Sequence, residues 1–66
     1  MNEDYPILHY FNYEHLPEKL QDYSRPFAML ALEMAQKLPK GPEVSVGLRK
    51  LLEAKDAFVR AALSKG

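Results

Sequence analysis

Residues 38–54 decide the fold of this chain, and they read LPKGPEVSVGLRKLLEA. Leu38 ends one helical pattern of apolar residues, which Pro39 and Gly41 then interrupt, because proline lacks a backbone donor and glycine tolerates unusual dihedral angles. Pro42 suits the first position of a new helix, where its missing N–H group would have had no partner. The stretch therefore predicts two helices joined by a short connection, which is a helical hairpin.

The predicted first helix covers residues 17–37. Its apolar residues are spaced by three or four positions: Leu16, Leu20, Tyr23, Phe27, Leu30, Met34 and Leu38. This spacing places them on one narrow side of a helix, which suits a single partner helix. Pro26 lies inside the run, so the helix either kinks there or divides into two helices. Because the pattern keeps its phase across Pro26, we favour a continuous, kinked helix.

The predicted second helix covers residues 42–63, and a row of small residues runs beside its core face. The core face consists of Val44, Leu48, Leu51, Leu52, Phe58, Val59, Ala62 and Leu63. Gly47, Ala54 and Ala61 recur every seven residues and would let another backbone approach closely. Alanine is also simply a good helix former, but glycine inside a helix costs about 1 kcal/mol and calls for a reason. We therefore predict an oligomer interface along this row, with a second contact surface at Met29 and Leu32.

Residues 1–14 are predicted to form an extended aromatic arm, and residues 15–66 the hairpin domain. Four large rings occur in the arm without a helical period: Tyr5, Tyr10, Phe11 and Tyr13. Rings of this size are costly to leave in water, so we expect the arm to lie over its own hairpin or over a neighbouring subunit.

The composition indicates one small domain that needs a further source of stability. The chain has 66 residues and no cysteine, so neither disulfides nor thiolate metal sites can support it. A domain of this size buries only about 60% of the surface of its unfolded chain. We therefore predict an all-α, antiparallel two-helix hairpin that is completed by oligomerisation.

The charge is balanced overall but divided along the chain. Residues 1–23 carry a net charge of −4 and residues 37–66 a net charge of +4. This division suits head-to-tail contacts or a local anion site, and it argues against binding to duplex nucleic acid, which favours a basic domain. No apolar run approaches the roughly 18 residues of a membrane span, and no signal peptide is visible, so we expect a cytoplasmic protein without a membrane partner.

Basic residues of the second helix are the candidate ligand contacts. Arg49 and Lys50, with Ser45 one turn earlier, could hold a phosphate near the helix start, where free N–H groups attract anions. Alternatively, Arg49 forms an exposed ion pair with Glu53, four residues further on.

Lys55 lies near the centre of the core face of the second helix. Either its stem packs there while the ammonium reaches water, or the ammonium meets an anionic ligand, Glu14 or Asp22 at an interface.

We expect neither enzyme activity nor a metal or other cofactor. His9 and His15 are the two histidines, and without cysteine they make a weak metal site. Ser24, His15 and Asp22 supply the residue types of a hydrolytic triad, but a thin hairpin offers no deep pocket in which to organise them.

Residues 41–58, GPEVSVGLRKLLEAKDAF, resemble the second-helix signature of the small phage helical-hairpin proteins, a family that includes the anti-CBASS and anti-Thoeris sponges. The matching residues are Gly41, Glu43, Ser45, Leu48, Lys50, Leu51, Glu53 and Ala54. The run FNYEHLP at residues 11–17 is similar to the aromatic opening of longer members, with the histidine offset by one position. Pro42, Arg49, Leu52 and Lys55 depart from the signature.

The resemblance implies a phage protein that binds a cyclic oligonucleotide or a cyclic ADP-ribose signal in an infected bacterial host and sequesters it without cleavage. It also implies dimers or hexamers, with the ligand at protomer interfaces between aromatic and basic side chains. The residues that could take these roles are Tyr10, Phe11 and Tyr13 for the bases, and Ser45, Arg49, Lys50 and Lys55 for the phosphates. The alternative is a small helical interaction or assembly module with no small-molecule ligand.

Overall fold

A computed structural model describes residues 5–64, so the first four residues of the predicted arm and the last two of the predicted hairpin domain lie outside the described part of the chain. Within it, Pro6–Phe11 form a 3-10 helix, Glu18–Lys37 form helix α1, and Pro42–Leu63 form helix α2. The two long helices pack against each other, which confirms the prediction of an all-α fold.

The hairpin follows from the residues that end the first helix and begin the second. Helix α1 runs without interruption through Pro26 and ends at Lys37, after which Leu38 is extended. The N–H group of Leu38 donates to the carbonyl oxygen of Met34 over 3.1 Å and so satisfies one of the last free acceptors of the helix. Pro42 occupies the first turn of α2, as predicted from its missing donor.

The residues before the hairpin are not extended, in contrast to the predicted arm. Pro6–Phe11 form a 3-10 helix in which the N–H group of Leu8 donates to the carbonyl oxygen of Tyr5 over 2.9 Å. A 3-10 helix has three residues per turn, so Tyr5, Leu8 and Phe11 lie on one side of it. All three are buried against the hairpin, and this shared burial is the physical reason for the 3-10 conformation.

The core lies between the 3-10 helix, α1 and α2. Its buried apolar members are Tyr5, Leu8, Phe11, Ala28, Ala31 and Leu48. The side that α1 contributes is therefore made of small residues, which let the other two elements approach its backbone closely. The N–H group of Gly41 donates to the hydroxyl of Tyr5 over 3.2 Å, and this bond ties the 3-10 helix to the connection of the hairpin.

The large apolar stripe that was predicted as the core of α1 is only partly buried: Leu20 is 7% exposed, and Leu16, Phe27 and Met34 are half-buried. Tyr23 is 53% exposed, Leu30 42% and Leu38 46%, whereas Ser24 is completely buried. The stripe and the small residues occupy adjacent sides of α1. The packing of α1 with α2 and the 3-10 helix buries mainly the side that carries the small residues. The chain is left with an apolar surface that it does not cover itself.

Candidate functional site: an open apolar face

The stripe on α1 and the neighbouring side of α2 together form one surface, which we call the open face. Residues of the 3-10 helix do not line it, and it has two parts, one at each end of the hairpin. The end that carries the connection is called the loop end, and the end at which α1 begins and α2 finishes is called the tail end.

The loop end of the open face is a groove between the helices with a volume of about 520 Å³. Its lining consists of Leu30, Met34, Leu38, Pro39, Glu43, Val44, Gly47, Leu48 and Leu51. Only Glu43 in this set carries a charge. The groove is open at Gly47 on the α2 side, where an added Cβ would meet no atom within 4 Å. We call this feature the loop-end groove.

The tail end of the open face is a cluster of aromatic rings. Phe27 of α1 stacks on Phe58 of α2 with ring centroids 5.7 Å apart and planes inclined by 26°. Phe58 is nevertheless 58% exposed, and Tyr23 projects beside it. Ala61 and Ala62 complete the surface around these rings. We call this feature the aromatic cluster.

The predicted interface residues fall on two different sides of the molecule. Gly47 lines the loop-end groove and Ala61 the aromatic cluster, while Ala54 is half-buried between them along α2. Met29 and Leu32 lie instead on the side of α1 that faces the 3-10 helix, where Leu32 packs against the core. The small-residue row thus belongs to the open face, and the second contact surface does not.

The candidate ligand contacts do not converge within one chain. Phe11 is only 2% exposed, so the expectation that it offers a ring face to a ligand is wrong for this conformation: its ring is needed in the core. Tyr13 is half-buried, with the guanidinium of Arg25 5.5 Å from its ring centroid. Of the three rings, Tyr10 is the accessible one, with 66% of its surface exposed.

The basic candidates on α2 point in different directions. Arg49 and Lys50 are exposed and Ser45 is half-buried. At 3.6 residues per turn, Lys50 is rotated by about 100° from Arg49, and Lys55 by about 120° to the other side. A single ligand could contact all of these residue types only if more than one chain contributed to the site.

Lys55 is held by contacts within its own chain. It is 9% exposed, and its Nζ donates to the carbonyl oxygen of Tyr10 over 3.1 Å. The same Nζ forms an ion pair with Oδ1 of Asp56 at 3.0 Å. Within the described part of the chain, the partners of Lys55 are therefore a carboxylate on the same helix and a backbone carbonyl near the end of the 3-10 helix, and neither Glu14 nor Asp22 pairs with it. Such a carbonyl lacks a helical partner, and a cation stabilises it.

Residues 5–64 show neither a metal site nor a membrane span. No group of three or more histidine, aspartate or glutamate side chains in this range is placed to hold a metal ion. None of the helices in the same range is both long and apolar enough to cross a membrane.

Comparison with known proteins gives no match to a family model, a curated protein or a solved structure. The resemblance to the phage sponges stays a prediction from the sequence motif.

Proposed function

We propose that this chain is a helical interaction module without enzyme activity, which works by packing its open face against another polypeptide. The observation that carries the proposal is the pairing of an apolar groove with an exposed aromatic cluster on one side of the hairpin. Aromatic side chains and a small-residue surface are the features that helix-to-helix interfaces use.

The size of the open face supports a polypeptide partner over a small molecule. The described chain measures 40 × 20 × 16 Å, and the open face extends over much of its length. A small-molecule site would add a few convergent polar groups to fix the ligand, and Glu43 alone supplies charge in the groove.

A photo-crosslinking amino acid at the position of Phe58 tests this proposal in cells that express the protein. We expect a covalent adduct with a polypeptide when p-benzoylphenylalanine replaces Phe58, because this ring would lie inside the interface. The matched control replaces Tyr10, an equally exposed ring outside the open face, and should give no adduct. Equal crosslinking at both positions, or none at position 58, would contradict the proposal.

A nucleotide sponge is the second candidate, and the exposure of Tyr10, Arg49 and Lys50 favours it. One ring and two cations at the surface could contribute to a site that a second chain completes. A thermal-shift panel of cyclic dinucleotides, cyclic trinucleotides and cyclic ADP-ribose isomers tests this candidate. Ligand at 100 times its dissociation constant adds about 2.7 kcal/mol of stability, which raises the melting temperature of a small domain by several degrees. We expect Arg49→Ala to reduce such a rise, and no rise with any member of the panel would exclude the sponge for these ligands.

A further inference from the structure

We propose that the partner of the open face is a second copy of this chain, packed antiparallel about a two-fold axis, so that the aromatic cluster of each copy enters the loop-end groove of the other. This inference rests on the proposed function, because it names the polypeptide that covers the open face. The result is a four-helix bundle with the 3-10 helices on its two outer sides.

The two ends of the open face differ in a way that suits a second copy. The ring of Phe58 is 58% exposed at one end, and the loop-end groove beside Gly47 lies at the other. A two-fold axis perpendicular to the helices exchanges the two ends, so it brings the Phe58 ring of each copy onto the loop-end groove of the other. Isologous interfaces of this kind close after two copies and leave no free apolar end.

The position of the axis follows from the small-residue row. Ala54 lies midway along α2 between Gly47, which lines the groove, and Ala61, which borders the aromatic cluster. In the antiparallel arrangement Ala54 therefore faces its own counterpart, and Gly47 faces Ala61 of the second copy. Small residues at these three levels let the two α2 helices approach closely.

The charges of the described residues favour the antiparallel arrangement over the parallel one. The loop-end half of the hairpin carries a net charge of +2, from Glu33, Lys37, Lys40, Glu43, Arg49 and Lys50. The tail-end half carries a net charge of −1, from Glu14, Glu18, Lys19, Asp22, Arg25, Glu53, Lys55, Asp56 and Arg60. Antiparallel packing places the positive half of one copy beside the negative half of the other, whereas parallel packing would place the two positive halves together.

The core of one chain is small, so self-association would add stability. The chain has 66 residues without a cysteine, and residues 5–64 hold no metal cluster, so the usual supports of a small domain are missing. Tyr23, Leu30 and Leu38 of the apolar stripe are exposed, so a second copy that covers them would bury apolar surface that the chain itself leaves in water.

Light scattering on the purified full chain tests the two-fold packing. We expect a mass of twice the chain mass for the native sequence and a fall by half for Leu30→Asp and for Phe58→Asp, with unchanged helical content by circular dichroism. Met29→Asp is the matched control, because Met29 neighbours Leu30 in sequence, is 56% exposed, and lies outside the open face. A doubled mass that survives both open-face variants, or that is lost in Met29→Asp instead, would overturn the proposal.

Engineered cysteines test the register independently, since the native chain has none. We expect Ala54→Cys to form an interchain disulfide under mild oxidation, because the two-fold axis brings this position next to itself. Glu53→Cys, the exposed neighbouring position turned away from the open face, should stay reduced. Equal disulfide formation at both positions would refute the register.

The outcomes separate this inference from the proposed function. A native chain that stays monomeric at high concentration would refute the second copy as partner. The crosslink from position 58 in cells would then decide whether another polypeptide covers the open face: an adduct of a different mass preserves the proposed function, and no adduct removes both.

Discussion

Phe11→Ala is expected to lower the free energy of unfolding by about 3–5 kcal/mol, the range found for removal of a buried phenylalanine. Phe11 is 2% exposed and belongs to the core cluster with Leu8 and Leu48. Its ring is one of the three buried side chains, with Tyr5 and Leu8, through which the 3-10 helix packs on the hairpin. Small domains have only about 5–15 kcal/mol of stability in total, so this loss removes a large share of it and should shift the unfolding midpoint to a much lower urea concentration. Urea denaturation followed by circular dichroism measures this decrease in the free energy of unfolding.

Tyr10→Ala is the control for this prediction. Tyr10 precedes Phe11 in the chain and carries a ring of similar size, but it is 66% exposed, so its removal should change the free energy of unfolding by no more than about 0.5 kcal/mol. An effect of Phe11→Ala as small as that of Tyr10→Ala would show that the Phe11 ring is not part of the core. A large effect at Phe11 alone would also confirm that its ring is structural and not free to stack on a ligand.

The two long helices could be predicted from the sequence because the features that determine them lie close together along the chain. Proline at a helix start and an apolar spacing of three to four are short-range features, and the observed bounds of Glu18–Lys37 and Pro42–Leu63 lie within one residue of the predicted ends. Pro26 illustrates the same point, since the phase of the apolar residues on both sides of it favoured a continuous helix and the helix is continuous.

The 3-10 helix was missed although the sequence contains its signal. Tyr5, Leu8 and Phe11 are spaced by three, which is the period of a 3-10 helix. A helical period of 3.6 does not describe them, and the other rings of the segment, Tyr10 and Tyr13, obscure the pattern. Three positions are also too few to establish a period without knowledge of what they pack against.

The side of α1 that enters the core could not be chosen from the sequence, because both sides are apolar. The large stripe through Tyr23 and Leu30 has the stronger hydrophobic signal, but Ala28 and Ala31 form the buried side. The choice depends on a third element, because the core that contains the 3-10 helix residues Leu8 and Phe11 also contains Ala28 and Ala31. The open face follows from this choice, and so the candidate site became visible only in three dimensions.

Lys55→Ala is expected to lower the free energy of unfolding by about 2–3 kcal/mol, the upper range for a hydrogen bond to a charged group. The Nζ of Lys55 donates to the carbonyl oxygen of Tyr10 and pairs with Asp56, and the variant leaves that carbonyl without its cation. The cost stays below that of a fully buried pair because the side chain of Asp56 is 48% exposed and water can solvate it. The loss should be concentrated where the 3-10 helix docks, so hydrogen exchange at the amides of Leu8 and Phe11 should accelerate more than exchange in the centre of α2.

Two further variants distinguish the role of the ammonium from that of the stem. Lys55→Met keeps an unbranched apolar side chain in the same place, so it should retain the packing and lose only the bonds of Nζ. Lys50→Ala removes an exposed lysine from the same helix and should have little effect on stability. Native stability and native exchange rates in Lys55→Met would show that the 3-10 helix is held by its apolar side chains alone. Destabilisation in Lys55→Met, with fast exchange confined to the 3-10 helix, would establish the ammonium as the link between α2 and the amino-terminal segment, since no other group on the described part of α2 is seen to donate a hydrogen bond to that segment.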